Sequence, residues 1–272
     1  MLTSGLTRSR SDEKLILVKK LPITVTIITL NEEKNISRCI GSVPFASEIV
    51  VVDSSSKDRT VEIAKSLGAK VFTETWKGFG PQKASATGKA SFDWILSLDA
   101  DETVSPELQK ELETLFENIN PKVGYLLPRK SFYLGRWILH GGWYPDFQKR
   151  LFHRAHSNWN DSKIHEKVHS PAEIKLSQPL LHDVFTNISH QVRTNDRYSG
   201  LLAEALQKKG QRFSFFKLLI KPHSKFLETY IWKKGFMDGL PGLIISVSAA
   251  YSVFLKWAKL WEIESKSSQE RL

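Results

Sequence analysis

Cysteine is nearly absent from this sequence of 272 residues, since Cys39 is its one example. A single thiol excludes a disulfide-stapled scaffold and a zinc site built from several cysteines. Two phosphate-binding signatures are also missing. No G-x-G-x-x-G follows the first or second predicted strand, and no G-x-x-x-x-G-K-[ST] occurs anywhere. A dinucleotide-binding Rossmann domain and a P-loop hydrolase therefore lose their main support.

Long apolar runs are scarce as well. Residues 1–20 contain no apolar stretch of signal-peptide length, and we interpret them as a loose tail. The uncharged run Gly239–Leu255 has 17 residues, which is at the lower limit for crossing a bilayer, since a spanning helix takes about 20.

Positive charge is concentrated in one part of the chain. The net charge is +10, and Ala205–Leu260 supplies +8 of it, with ten Lys or Arg against two acidic residues. A nucleic-acid enzyme more often carries its basic surface around the active cleft. The pattern favours a nearly neutral catalytic domain, residues 21–194, followed by a basic helical segment, residues 195–272.

Apolar, β-branched segments alternate with segments of helical spacing from Ile23 onwards. Strands are predicted at 23–30, 48–52, 69–73 and 94–98. Helices are predicted from Asn31, at 58–67, and from Ser105 to about Phe116, where Ser105-Pro106 forms a good helix start. Buried strands separated by helices indicate an α/β fold with a parallel sheet, and such sheets bind ligands at the carboxyl ends of their strands.

Carboxylates follow two of these strands directly. Asp99 and Asp101 leave the strand 94–98 two residues apart, and oxygen ligands of this kind suit Mg²⁺ or Mn²⁺ bound to substrate phosphates. The alternative is a solvated acidic turn that caps the next helix. Asp53 ends the strand 48–52, where a carboxylate is well placed to accept a hydrogen bond from a base or ribose.

These motifs together resemble the family 2 glycosyltransferases of the GT-A fold. The resemblance is carried by VTIITLNEEKNI, EIVVVDSSSKDRT, GFGPQK and DWILSLDADE between Ile23 and Glu102. GGWYPDFQKRLFHR and KIHEKVH extend it towards Glu262, in a branch resembling bacterial lipopolysaccharide-core β-glucosyltransferases. It implies a Rossmann-like GT-A domain and an inverting, metal-dependent transfer of glucose from a UDP-sugar to a lipopolysaccharide-core or other lipid-linked acceptor.

The resemblance also implies roles for individual residues. The nucleotide pocket would be lined by Thr29, Asn31, Glu33 and Asp53, with Asp53 on the uracil. Asp99 would face the ribose or the metal ion, and Asp101 would ligate the metal on the diphosphate. Lys83 would lie near the nucleotide, although Ala84 replaces the Asn that often follows this Lys in the family.

An inverting transfer needs one carboxylate base on the acceptor side. Asp146 fits this role, because it follows a Gly-Gly turn beside aromatic residues that could stack on a sugar, and it aligns with the base of family members. The alternative is a turn Asp after Pro145. Gln148 and Arg150 alternate on one strand face and resemble the pair that meets diphosphate or acceptor elsewhere in the family.

A histidine past the catalytic acid often completes the metal shell in enzymes of this fold. His165 is the better positional match and His182 the second choice, with a purely structural histidine as the alternative. The H-x-x-x-H spacing of His165 and His169 lacks the H-E-x-x-H order of zinc proteases.

The basic segment predicts a membrane contact. Tyr251, Phe254, Trp257 and Trp261 fall on roughly one helical face beside lysines, which is typical of a helix lying in the membrane interface. We expect peripheral attachment to anionic lipid at the cytoplasmic face of the inner membrane. The alternative is a helix packed on the catalytic domain.

Two other functions stay open at this point. A polyisoprenyl-phosphate sugar synthase belongs to the same class, but it would not need an aromatic acceptor loop such as Gly141–Phe147. A basic nucleic-acid-binding or nucleotidyl-transfer protein could use Asp99 and Asp101 on phosphates, but it predicts basic residues close to them. We therefore expect no nucleic-acid partner.

Overall fold

A computed structural model describes residues 19–160 and 166–269. Its strands are β1 Leu21–Thr29, β2 Ala46–Asp53, β3 Lys70–Thr73, β4 Trp94–Asp99, β5 Glu102–Val104, β6 Val123–Tyr133, β7 Arg136–Ile138, β8 Asp146–His153, β9 Asn158–Trp159, β10 Val168–His169, β11 Ala172–Lys175 and β12 Leu180–Asp183. Its α-helices are α1 Ile36–Gly41, α2 Thr60–Ser66, α3 Phe79–Gly88, α4 Pro106–Leu115, α5 Ile188–Lys208, α6 Phe215–Leu227 and α7 Gly239–Gln269. A π-helical turn (Glu228–Trp232) and a 3₁₀ turn (Gly235–Asp238) join α6 to α7.

One mixed sheet of ten strands organises the domain. Its first half is parallel, in the order β3-β2-β1-β4, as the alternation of strands and helices predicts. The second half begins at β8, which is antiparallel to both β4 and β6. A parallel half continued by a mixed half is the GT-A arrangement, so the predicted fold class is confirmed.

The central strand β1 is buried along almost its whole length, because helices cover both faces of the parallel half. The predicted start of α4 is also confirmed. Ser105 is its N-cap and accepts a 3.1 Å hydrogen bond from the Leu108 amide, and Pro106 follows at the first helical position.

α3 begins at Phe79, directly after Gly78 with φ of +102°. The boundary predicted near Thr194 falls inside α5, which begins at Ile188. The chain carries no glycine or proline near Thr194 to break the helical pattern there.

Glu48 ties the amino-terminal ends of the strands together, opposite the ligand-binding edge. This buried carboxylate accepts hydrogen bonds from Thr24 Oγ1 (2.6 Å), Lys70 Nζ (2.6 Å) and the Ser91 amide (2.7 Å). Burial opposes its ionisation, but these bonds outweigh burial and lower the pKa of Glu48 from 4.5 to about 2. A carboxylate held charged in this way stabilises the folded state.

The Glu48→Gln variant should therefore lose stability at neutral pH. Because the folded-state pKa is depressed, the contribution is complete above pH 4.5 and disappears as the pH falls towards about 2. We expect a loss of about 2–3 kcal/mol in the free energy of unfolding at pH 7 and a flatter acid limb, measured by urea unfolding across pH. Glu117→Gln, at an exposed position, is the control. Equal stability curves for the two variants would contradict the assignment.

Candidate active site

The carboxyl ends of three neighbouring strands bring the predicted site residues to one edge of the sheet. In β1, Thr29 pairs in register with Asp53 of β2, and Ile28 pairs with Asp99 of β4. The sequence predicted this juxtaposition, because parallel strands end on the same side.

Asp53 and Asn31 hold the loops that follow β1 and β2 against each other. Asp53 is buried and accepts hydrogen bonds from the Ser56 amide (2.9 Å) and the Ser56 hydroxyl (2.5 Å). Asn31 has φ of +56°, and its side-chain oxygen accepts a 2.7 Å bond from the Lys57 amide. Asp53 therefore has a structural task as well as the predicted nucleotide contact.

Thr29 lies two residues before Asn31 in the chain, and Glu33 lies two residues after it. The Glu33 carboxylate accepts a 3.1 Å bond from the Arg59 amide, and the Glu33 amide donates to Asp58 at 3.1 Å. The hydroxyl of Thr29 is buried and has no hydrogen-bond partner within the described part of the chain. An unpaired hydroxyl at a strand end is costly unless a ligand satisfies it.

Asp99 lies at the centre of a buried ionic network. Its Oδ2 is 2.5 Å from Arg150 Nη2, and its Oδ1 is 2.9 Å from Lys83 Nζ. Arg150 Nη2 also lies 2.5 Å from Glu102, and Lys83 Nζ lies 2.9 Å from Glu166. Lys83 and Arg150, both nearly or fully buried, therefore pair with Asp99. The resemblance places this carboxylate at the ribose or the metal ion.

The network fixes the charges of its members. Burial disfavours an ionised Asp99, but Arg150, Lys83 and Arg129 outweigh burial and hold the pKa of Asp99 well below its ordinary value. Burial likewise disfavours a charged Arg150, and Asp99 and Glu102 raise its pKa above its ordinary value. The Nε of Arg150 is buried without a described hydrogen-bond partner. A donor that can still bind an anion therefore remains at this point.

Asp146 lies on the same strand as Gln148 and Arg150, at alternating positions. Its Oδ2 accepts hydrogen bonds from Arg129 Nε (3.0 Å) and Nη2 (2.7 Å), and its Oδ1 accepts one from Gln148 Nε2 (2.8 Å). Oδ1 therefore keeps a free lone pair. Arg129 also reaches Glu102 at 3.3 Å, which links Asp146 to the Asp99 network.

Asp101 faces a histidine. His182 Nε2 lies 3.4 Å from Asp101 Oδ2, and His182 Nδ1 lies 3.3 Å from the Ser131 hydroxyl. The first-choice ligand, His165, lies outside the described residues. In the described part of the chain, no three His, Cys, Asp or Glu side chains group closely enough to hold a metal ion by themselves.

An Asp–His pair still fits one mode of divalent metal binding. Mg²⁺ usually takes one or two protein carboxylates, keeps several waters and binds substrate phosphates. Asp101 and His182 match that mode, whereas both oxygens of Asp99 already face cations.

A cavity of about 580 Å³ opens beside Asp99. Several of its wall residues were not singled out from the sequence: Phe79, Arg129, Trp159, Lys167 and Tyr198. Tyr198 comes from α5, most of which the sequence assigned to the tail. Only tertiary contacts bring these residues together.

The aromatic residues of the Gly141–Phe147 loop are divided between core and cavity. Trp143 stacks on Tyr133, with ring centroids 6.1 Å apart, and it also contacts Phe185. Phe147 lines the cavity, and Lys175 Nζ lies 4.5 Å from the centroid of its ring. Phe147 therefore faces the cavity, whereas Trp143 is half-buried against Tyr133 and Phe185, and stacking of the loop's aromatic residues on a sugar stays a prediction.

Comparison with known proteins identifies the class. The family model described as glycosyl transferase family 2 matches residues 24–172. An uncharacterised glycosyltransferase of Rickettsia typhi is 34% identical over 258 residues, covering 90% of this chain and 88% of the relative. The chain belongs to glycosyltransferase family 2.

Two further likenesses concern a named relative and a solved structure. The lipopolysaccharide core biosynthesis glycosyltransferase LpsC of Rhizobium meliloti is 29% identical to this chain. The match covers 90% of this chain and 94% of LpsC. The match to the crystal structure of S. aureus TarS 1–349 in complex with UDP-GlcNAc covers 91% of this chain and 92% of the 1–349 chain, at 14% identity and a TM-score of 0.48.

Removing Arg150 should destabilise the fold strongly. Arg150→Met leaves Asp99 and Glu102 buried without their shared cation, and we expect a loss of about 3–5 kcal/mol in the free energy of unfolding. Arg59→Met, which breaks an ion pair between two largely exposed side chains, should leave the urea midpoint unchanged. Equal midpoints in urea titrations of the two variants would contradict a buried, interdependent network.

Proposed function

We propose that this glycosyltransferase moves glucose, with inversion, from a UDP-sugar to a lipopolysaccharide-core acceptor at the membrane surface. The observation that carries the proposal is the arrangement around the cavity. Asp99 and Arg150 lie in its wall, and Arg129 and Gln148, also in the wall, hold Asp146 by hydrogen bonds. The groups assigned to the donor thus lie in the same cavity wall as the two side chains that hold Asp146.

In this proposal, Asp146 accepts the proton of the acceptor hydroxyl. The hydroxyl oxygen forms its bond to the anomeric carbon while the bond from that carbon to the diphosphate oxygen breaks, and the proton passes to the free lone pair of Asp146 Oδ1. Arg129 holds the carboxylate in position through two hydrogen bonds.

The leaving diphosphate carries the electron pair of the broken bond. Arg150 and Lys149 line the cavity and supply positive charge in a partly dehydrated site. Asp101 and His182 are the described residues that would hold a Mg²⁺ or Mn²⁺ ion, and that ion would supply Lewis-acid stabilisation of the diphosphate. The nucleotide contacts assigned to Thr29, Asn31, Glu33, Asp53 and Lys83 are part of the same proposal.

The acceptor assignment rests on LpsC, whose name states lipopolysaccharide core biosynthesis, and on the apolar surface of the C-terminal helices. The outer face of α6 and the turns after it expose large apolar side chains: Phe215, Phe216, Leu219, Ile220, Leu227, Ile231, Trp232, Phe236 and Met237. A continuous apolar surface of this kind marks a contact with protein or membrane.

Charge favours the membrane. Within the described part of the chain, Lys217 and Lys221 of α6 and Lys256 of α7 have no carboxylate within ion-pair distance. Burial, followed by repulsion from Lys221 and Lys225, lowers the pKa of Lys256 below its ordinary value. Uncompensated lysines beside exposed apolar residues suit a surface of anionic lipid.

Burial divides the aromatic residues that the sequence predicted on the membrane face. Trp257 is buried against Ala203 and Leu260, so its predicted place on the membrane face was wrong, whereas Tyr251, Phe254 and Trp261 are exposed. The segment Gly235–Lys266 is long and apolar enough to span a bilayer by length and composition. We propose peripheral attachment at the cytoplasmic face, because α7 buries one face against α5 and α6 and pairs Lys259 with Asp196 at 2.6 Å.

The structure and the family bear differently on the two alternative functions, nucleic-acid binding and polyisoprenyl-phosphate sugar synthesis. The family assignment replaces the nucleic-acid alternative. The polyisoprenyl-phosphate synthase stays an alternative, because Trp143 of the loop is half-buried against Tyr133 and Phe185 and only Phe147 lines the cavity among the loop's aromatic residues. Assaying transfer to both lipopolysaccharide and polyisoprenyl phosphate distinguishes the two.

Asp146→Asn should separate transfer from donor binding. Because the base acts only when the acceptor loses its proton, UDP-glucose affinity measured by calorimetry should persist while transfer falls by about 10² or more. Asp93→Asn, at an exposed aspartate, is the matched control and should leave both quantities unchanged. Near-normal transfer, or loss of donor binding, would remove Asp146 from this role.

Flotation with anionic vesicles tests the membrane surface. High salt should release much of the protein, because the Debye length falls from about 10 Å at 0.1 M to about 3 Å at 1 M. Phe216→Glu should release it even at low salt, since it places a charge on the apolar face, while Leu67→Glu, at an exposed apolar position of the catalytic domain, should still float. Salt-insensitive flotation, or none, would overturn peripheral binding.

A further inference from the structure

The buried carboxylate of Asp238 joins the C-terminal helices to the catalytic domain. It is fully buried and belongs to the 3₁₀ turn that precedes α7. Its carboxylate accepts hydrogen bonds from the amides of Leu139 (3.2 Å) and His140 (2.8 Å) and lies 3.0 Å from His140 Nδ1. All of these groups directly precede the Gly141–Phe147 loop.

Arg136 adds a contact from the other side. Its Nη2 lies 3.6 Å from Asp238 Oδ1, and its Nη1 donates a 2.9 Å hydrogen bond to the Asp238 backbone oxygen. A carboxylate that meets two adjacent backbone amides and a guanidinium holds its partner segment in one geometry, because losing any of these bonds leaves a buried polar group unpaired.

The backbones of the loop and the tail also meet directly. The Gly141 amide donates a 2.8 Å bond to the Lys233 carbonyl. A Cβ at Gly142, which has φ of +84°, would lie 2.8 Å from Lys233 Cδ. The loop therefore lies against the turns that expose Trp232 and Phe236 to solvent.

Apolar packing completes the junction. Ile245 of α7 is buried in one cluster with Tyr133 and Ile138, and Trp143 of the loop packs against that cluster. One side of the loop is thus built from the tail, while its last residue, Phe147, reaches the cavity and Asp146 precedes it.

We propose that Asp238 is a positioning residue that fixes the Gly141–Phe147 loop, and with it Asp146, to the membrane-facing helices. Binding of those helices to lipid then orders the loop for the acceptor. The inference rests on the proposed function, because it treats the loop as the acceptor side of the site. Misplacing a positioned group costs rate through geometry rather than chemistry.

Asp238→Asn in the full-length protein tests the proposal, since the amide keeps the size of the side chain but loses its charge and one acceptor. With lipopolysaccharide from cells lacking this gene as acceptor probe, we expect the acceptor KM to rise by about tenfold or more. UDP-glucose affinity by calorimetry should stay within about twofold, a separation that general loss of structure would not produce. Unchanged acceptor KM, or an equal loss of donor affinity, would overturn the role.

Amide hydrogen exchange provides a readout independent of turnover. Anionic vesicles should slow exchange at Leu139–Trp143 in the unmodified protein and leave it unchanged in Asp238→Asn. Asp196→Asn, which breaks the ion pair to Lys259 far from the loop, should keep the vesicle effect. Vesicle protection that survives Asp238→Asn would contradict the proposed coupling.

Two outcomes could confuse the test of Asp238, namely a variant that does not fold and a protein without the proposed activity. If Asp238→Asn does not fold, Arg136→Gln serves instead, because Arg136 is exposed and, within the described part of the chain, forms its one ion pair with Asp238. If the unmodified protein neither binds UDP-glucose nor transfers sugar, the proposed function fails, whereas the exchange experiment still decides whether Asp238 couples tail and loop.

Discussion

The contact of Arg150 with Asp99 and Glu102 is the constraint on which the rest of the site depends. Arg150 lies on β8, which is antiparallel to β4, and its guanidinium reaches the two carboxylates at the end of β4 and the start of β5. Side chains alternate along a strand, so a slip of one residue would turn Arg150 away and bury two unpaired carboxylates. The same register places Gln148 and Asp146 on the face that Arg150 occupies. One buried ionic contact therefore sets the position of Asp146 and Gln148 relative to the strand ends that carry Asp53 and Asp99.

The sequence predicted the parallel half of the sheet and the strand-end residues well, because both follow from local patterns. Buried β-branched runs identify strands, and the edge where they end identifies Asp53 and Asp99. Local patterns did not predict the ion-pair partners in the site, because these partners are far apart in the sequence. Lys83 meets Glu166 across 83 positions, and Arg129 meets Glu102 across 27. Trp143 and Trp257 were placed on functional faces because aromatics at these spacings suit either a core or a surface, and only the packing of α5 and α7 decides which.

The C-terminal helices contact the candidate site in this structure. Tyr198 of α5 lines the cavity, Ile245 of α7 packs beneath the Gly141–Phe147 loop, and Asp238 holds the start of that loop. A catalytic domain ending at Thr194 would therefore lack part of its own site. The exposed apolar residues of α6 lie on the same segment as Lys217, Lys221 and Lys256. The proposed attachment to lipid and the proposed acceptor side therefore involve one set of helices.

The most direct measurement of the proposed activity is release of UDP from a panel of UDP- and GDP-sugars with Mn²⁺, with and without lipopolysaccharide from cells lacking the gene. We expect slow hydrolysis of UDP-glucose alone, faster UDP release when the acceptor is added, and one hexose gained by the acceptor in mass spectrometry. Preference for a GDP-sugar, or UDP release that the acceptor does not accelerate, would contradict transfer from UDP-glucose to the lipopolysaccharide core.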